Sequence, residues 1–371
     1  MKIAWTKRDP DEARVRIRDW LAGRPGVSRA EITTWATPRS GNSNETIYCD
    51  AHWTEQGVER NEALVLRIQP DSYRLFHDAD VFLQWNMMEA LNRCSDIPVP
   101  PLYWREPNRD VLGSPFFVMG KVPGNVPPDL ISLRARSFVA NLTRGERRTL
   151  YLETLSTMAE LHKVHWQSGF NFLDKPAMGK TGLDQYLAWV EEWFRWAAAG
   201  RRFPLIALGL RHLRDKQPRS APVGIVWGDA RPGNMIVGED LKPVAVIDWE
   251  MAALGPAEVD VAWWVMWENI WNAPDDKPEL EGFLTREEML EHYERFAGKL
   301  LKNYQYYEIL AGVRLAIMMV VGVDKRIERG VLKPDTTANR QNPATQFLAP
   351  LLDQPRPGLS PDLGQLAAEM G

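Results

Sequence analysis

Two stretches decide the fold: Val226-Trp-Gly-Asp-Ala-Arg-Pro-Gly-Asn-Met-Ile-Val237 and, a few residues on, Val244-Ala-Val-Ile-Asp-Trp-Glu250. In both, apolar β-like runs meet polar side chains at turns. Three of these polar groups stand out. Asn234 lies five residues after Asp229, and Asp248 lies fourteen after Asn234. Gly228, Pro232 and Gly233 are turn formers that let the first stretch fold back, so the three groups can converge.

This order suits phosphoryl transfer. A carboxylate must accept the proton of an attacking hydroxyl, and Mg²⁺ wants hard oxygen ligands, usually one or two carboxylates with phosphates and water. Asp-x-x-x-x-Asn supplies a base first and a metal-ligating Asn second. An Asp ending a later apolar run supplies the metal carboxylate. A lone Asp-x-x-x-x-Asn would be an ordinary turn; the combined spacing and the flanking runs carry the reading.

Upstream, Pro10–Arg24 predicts a short helix stopped before Pro25-Gly26. Strands are predicted over Ala30–Ala36, Glu45–Trp53, Ala63–Gln69, Leu102–Glu106 and Pro115–Lys121, with a helix over Asp78–Arg93 between the third and fourth. The first part thus reads as an antiparallel sheet with one docked helix. After Gly120-Lys-Val-Pro-Gly the pattern turns helical: Thr149–His165, Gly182–Ala199 and Phe203–Asp215. Strands Gly224–Trp227, Met235–Val237 and Pro243–Trp249 interrupt it. Helices resume at Ala257–Trp271, Thr285–Lys302 and Tyr304–Ile327, with a short one at Pro343–Leu352 in an otherwise loose tail. Strands first and helices after is an α+β arrangement, divided as residues 1–120 and 121–371.

The 371 residues are 44% hydrophobic and 25% charged, the balance of a globular chain with room for two lobes. A formal net charge of −4 gives no basic field to draw it onto nucleic acid or an anionic membrane. Two cysteines, Cys49 and Cys94, make no disulfide framework and fit a reducing cytoplasm. Met1-Lys-Ile-Ala-Trp-Thr-Lys-Arg lacks the apolar core of a signal peptide. The longest apolar stretch, Leu315–Val323, follows Arg314 and falls short of the roughly 20 residues a membrane span needs.

Four motifs together resemble the aminoglycoside phosphotransferase family, in the branch that includes kinase domains attached to some acyl-CoA dehydrogenases. They are Trp227-Gly-Asp-Ala-Arg-Pro-Gly-Asn-Met, Val246-Ile-Asp-Trp-Glu-Met-Ala-Ala-Leu-Gly, Glu258-Val-Asp-Val-Ala-Trp and Val111-Leu-Gly-Ser-Pro-Phe-Phe-Val-Met. The resemblance implies a two-lobed, protein-kinase-like fold using ATP and Mg²⁺. It implies Asp229 as the catalytic base, Asn234 and Asp248 as metal ligands, and Glu250 as a lesser one. Arg67 would take the place of the phosphate-binding Lys. The loop carrying Ser43 and Asn44 would cover the phosphates. Met119, Lys121 and Val122 would form the hinge against adenine. Asp260 resembles a buried carboxylate that props the catalytic loop.

Three departures stand out. Trp227 replaces the usual His, Arg67 replaces Lys, and Gln84 stands where kinases pair a Glu with that Lys. His162 and His165 sit three apart on a predicted helix, with no third metal ligand in the sequence. The stripes Trp189/Trp193/Trp196 and Trp263/Trp267/Trp271 have core spacing, yet a partly apolar acceptor pocket would also use them. The expected activity is transfer of the γ-phosphoryl group to a small-molecule hydroxyl, with a lean toward a less polar or acyl-bearing alcohol. The rival reading is a nucleotide-binding module without transferase activity.

Overall fold

Alternating apolar residues build the sheet of the N-terminal part. In this computed structural model the described residues are 8–37, 45–70, 74–128, 134, 137–270 and 280–363. Strands β1 (Val27–Ile32), β2 (Glu45–Glu55), β3 (Val58–Ile68), β4 (Leu102–Glu106) and β5 (Phe116–Gly120) form an antiparallel sheet in the order β1-β2-β3-β5-β4. Leu64, Leu66 and Ile68 of β3 point to the same face as Ile47, Cys49 and Ala51 of β2. They pack on Ala13, Ile17 and Leu21 of helix α1 (Pro10–Ala22). Residues between them on β3 turn to the other face. There α2 (Val81–Cys94) brings Trp85 edge-on to Phe117, with ring centroids 5.9 Å apart. The sheet is therefore covered by a helix on each face, where the sequence reading docked only one.

β3 also starts five residues earlier than predicted. Gln56 and Gly57 form a two-residue hairpin turn with φ of 49° and 81°. Positive φ at both positions matches the twist of the flanking strands. Residues 58–62 pair fully with β2 although they are mostly polar and exposed.

Contacts divide the chain into Met1–Glu89 with Val99–Pro123, and Ala90–Pro98 with Gly124–Gly371. The second unit is mainly helical: α3 (Phe138–Asn141), α4 (Arg144–Leu161), α5 (Leu183–Ala198), α6 (Pro204–Asp215), α7 (Glu258–Ile270), α8 (Arg286–Ala297), α9 (Tyr304–Glu328) and α10 (Pro343–Leu351). α9 is long and apolar enough to cross a membrane, yet 83% of its most apolar window is buried inside the protein. It packs against α5, α6, α7 and α10. Residues 352–363 after α10, expected to be loose, are tied back; the rest of the tail lies outside the described residues. Ser360 donates its N–H to Gln341 O at 2.9 Å, and Leu363 packs on the Val323, Leu332 and Ala338 cluster.

Two ribbons set up the decisive stretches. β6 (Gly224–Val226) pairs with β9 (Ala253–Gly255), and β7 (Met235–Val237) pairs with β8 (Pro243–Val246). The chain therefore crosses from one ribbon to the other twice, through 227–234 and back through 247–252. The predicted strand Pro243–Trp249 stops at Val246 because Asp248 takes a left-handed conformation, φ 63°.

Candidate active site

The double crossing lays the two loops side by side. Trp227 Nε1–H donates to Ile247 O at 3.1 Å, and Ile247 N–H donates to Asn234 O at 3.0 Å. Gly228 sits so close to Met251 that a β-carbon would lie 2.3 Å from the Met251 carbonyl oxygen, and its φ is 92°. Only glycine fits there.

Asp260, in the first turn of α7 and fully buried, fastens the first loop. Its carboxylate accepts the backbone N–H groups of Trp227 (2.7 Å) and Gly228 (2.8 Å). His162, the C-cap of α4, reaches the same carboxylate through Nε2 at 2.9 Å. Its Nδ1 lies 2.7 Å from the Tyr293 hydroxyl. Burial, then the nearby Glu258 and Asp260 charges, push the Tyr293 phenol well above its ordinary range, so it stays a donor. His162 is thus a buried loop support. Trp227 does comparable work: it is fully buried, bridges to the second loop and lies against Trp249 at 5.4 Å.

Asp229 and Asn234 are brought together. Asn234 Nδ2 donates to Asp229 O (2.9 Å) and to Asp229 Oδ2 (2.7 Å). Both amide hydrogens face Asp229, which turns Oδ1 of Asn234 away from it. Arg231 adds Nε and Nη2 to Asp229 Oδ2, each at 3.0 Å, and lies over the Trp267 ring at 5.1 Å. Trp263 Nε1–H donates to Asp229 Oδ1 at 2.8 Å. Asp248 and Glu250 stand half-buried on the second loop, Asp248 directly after the residue bonded to Asn234. An amide oxygen with nearby carboxylates is the oxygen-only donor chemistry that suits Mg²⁺.

In the first unit, Arg67 lies opposite Thr46 across the β2–β3 ladder and donates to its Oγ1 at 2.8 Å. Its Nη2 donates to Gln84 Oε1 on α2 at 3.2 Å. On α2 the group that meets Arg67 is thus the neutral amide of Gln84. Met119 is buried in β5 opposite Val65. Lys121 spends its N–H on Ala63 O at 2.8 Å, and Val122 follows it, half-buried. Ser43 and Asn44 lie outside the described residues.

Of the tryptophan stripes, Trp193 and Trp263 are fully buried and Trp196 is 40% exposed; Trp271 lies outside the described residues. Sequence reasoning did not identify Arg231, the Trp263 indole or Arg314 as parts of this site. The position of Arg231 two residues after Asp229 was the available signal. Trp263 stood in the quoted helix motif and in a tryptophan stripe, but nothing there aimed its indole at Asp229, and Arg314 carried no signal, because only tertiary packing brings them to the loop.

An antiparallel sheet unit followed by a mainly helical unit, with an Asp–Asn loop pinned from a helix start, defines a kinase-like phosphotransferase fold. The family model described as "Phosphotransferase enzyme family" matches residues 34–298, and the chain belongs to that family. It is similar to acyl-CoA dehydrogenase family member 11 of Homo sapiens, 26% identical over 306 residues, covering 78% of this chain and 36% of that protein. Family member 10 of Mus musculus is 25% identical, covering 84% of this chain and 28% of that protein. The chain thus spans about a third of the length of the curated relatives it matches. Among solved structures, a candidate aminoglycoside phosphotransferase from Ralstonia eutropha superposes with a TM-score of 0.62 at 21% identity, covering 93% of this chain and 96% of that one. Aminoglycoside phosphotransferase APH(4)-Ia with ADP and hygromycin B gives 0.54 at 13% identity, covering 91% and 98%. These similarities show the shared fold.

Proposed function

We propose that this chain transfers the γ-phosphoryl group of ATP to the hydroxyl of a small molecule. The observation that carries the reading is the Asp229–Asn234 pair, held on a loop whose backbone N–H groups are fastened by Asp260. Asp229 accepts the hydroxyl proton and aligns the nucleophile. Mg²⁺, held by Asn234 and Asp248 with Glu250 in a lesser role, neutralises phosphate charge when bound. Arg67 binds phosphate, and Met119–Val122 bind the adenine. ADP and AMP-PNP complexes of APH(4)-Ia support nucleotide use.

For the acceptor we favour a less polar or acyl-bearing alcohol over a polycation. A polycation needs open carboxylates, and those of α7 are engaged. Asp260 holds the loop, Glu258 accepts the Lys302 N–H, and Arg134 Nη2 lies 2.8 Å from both Glu268 oxygens. Arg231 adds positive charge directly beside Asp229. The test is ADP release from MgATP across a panel of alcohols that includes hygromycin B, with melting temperature followed in parallel. MgATP should raise the melting temperature by linkage to the folded state, and an acyl-bearing alcohol should outpace the antibiotic. No thermal shift at millimolar MgATP would remove the nucleotide reading, and turnover of aminoglycosides alone would reverse the acceptor preference.

A further inference from the structure

We propose that the Trp263 indole is the positioning group of Asp229, that the acceptor hydroxyl approaches Oδ1 of Asp229, and that Arg314 holds this arrangement. The inference rests on Asp229 being the base.

The two carboxylate oxygens are unequally occupied. Oδ2 accepts two N–H donors, Arg231 Nε and Asn234 Nδ2, with Arg231 Nη2 paired to it at 3.0 Å. Among the described residues, Oδ1 takes one, the Trp263 Nε1–H. A carboxylate offers about four lone-pair sites, two on each oxygen. Oδ2 is therefore filled, and Oδ1 keeps one site open for a hydroxyl. The indole fixes which site that is. Trp263 is fully buried, and a large ring in a close-packed interior holds its direction better than a long flexible side chain does.

Arg314 explains what holds the ring. Its guanidinium lies 4.2 Å from the Trp263 ring centroid and 5.6 Å from that of Tyr186. Its Nη2 donates to the Gly228 carbonyl, while Nε and Nη1 have no hydrogen-bond partner among the described residues. Burying a guanidinium with donors unpaired is costly and asks for a reason. The arrangement supplies one. Asp260 takes the Gly228 N–H and Arg314 binds the Gly228 carbonyl, so the backbone just before Asp229 is held at both ends. The same cation lies over the ring that orients the Asp229 side chain. The phenol of Tyr186, under the same cation, is pushed up to about 12 by burial against the pull of Arg314, so the aromatic cradle stays uncharged.

Trp263→Phe keeps the aromatic face and removes the N–H. ADP release from MgATP is measured with water alone and with the best alcohol of the panel, for this variant, Asp229→Asn, the double variant, Arg314→Lys and Arg314→Met. Trp263→Phe should lower kcat by about 10–100-fold through misplacement of the base, leave KM for MgATP within about threefold of the parent, and add nothing when combined with Asp229→Asn. Arg314→Met should behave like Trp263→Phe, and Arg314→Lys should recover part of the loss. A readout independent of turnover is the Trp263 indole ¹H–¹⁵N resonance, assigned by its absence in Trp263→Phe. It should move upfield in Asp229→Ala. Normal kcat in Trp263→Phe, a further loss in the double variant, or an unmoved indole resonance would each overturn the proposal. Wild-type turnover by Asp229→Asn would instead overturn the base assignment itself.

Discussion

Asp248 combines two demands at one residue. Its φ of 63° lies in the left-handed region, which Asp tolerates better than most residues but glycine tolerates freely. Strain of this kind persists where function needs the side chain. Asp248→Gly should therefore separate stability from activity. We expect the variant to be more stable by up to about 1 kcal/mol, and to lose Mg²⁺-dependent turnover. Thermal melts and ADP release on the same preparation check both halves; a less stable variant with normal turnover would contradict the reading. Trp227 shows why a departure from the family pattern need not disable the loop. Its indole N–H reaches Ile247 O, a bridge between the two loops.

At the element scale, the apolar elements were legible because their periods are written in the sequence. β2, α2, α5, α6 and α9 fall within a few residues of their predicted bounds. What escaped was local chemistry without apolar periodicity. The polar half of β3 depends on the Gln56-Gly57 turn. α4 starts at Arg144 rather than Thr149 because Thr143 and Glu146 form a capping box. β9 is three residues long, and its pairing with β6 is what brings the second loop back beside the first. The polar residues of the site could be picked out from their spacing and Asp260 from its motif, but Arg231 and Arg314, which act on Asp229 and its loop, could not.

α8 has a capping box too, between Thr285 and Glu288. Thr285→Ala should cost about 1 kcal/mol at neutral pH. The Glu288 carboxyl is held below its ordinary value of 4.5, chiefly by the Thr285 backbone N–H and then by Arg148. A lowered folded-state value gives stability that is present above 4.5 and lost as pH falls through the folded value. The carboxylate's share of the cap is removed by Glu288→Ala rather than Thr285→Ala, which keeps the residue-285 N–H, so the difference between Glu288→Ala and parent in denaturant melts should shrink below about pH 4. A difference constant with pH would assign the cap's contribution to the threonine hydroxyl alone.

Over the whole molecule, the two cysteines report on the sheet unit and the helical unit separately. Cys49 is 2% exposed in the core between β2 and α1, and burial, then the Asp50 charge, push its thiol up to about 12. Cys94 is half-buried, and its thiol donates to Ser168 O at 3.3 Å. At pH 8 a maleimide should modify Cys94 first and reach Cys49 only when the sheet unit unfolds. Labelling of native protein followed by peptide mapping measures this, and equal rates would contradict the packing of α1 on the sheet.

The central claim is that Asp229 is the base of a phosphoryl transfer, and Asp229→Asn tests it most directly. Asn is nearly isosteric but cannot take the proton. MgATP affinity and turnover on the best alcohol should be measured on one preparation. The account predicts affinity within a few-fold of the parent and turnover lower by at least about 100-fold. Turnover at the parent rate would contradict it.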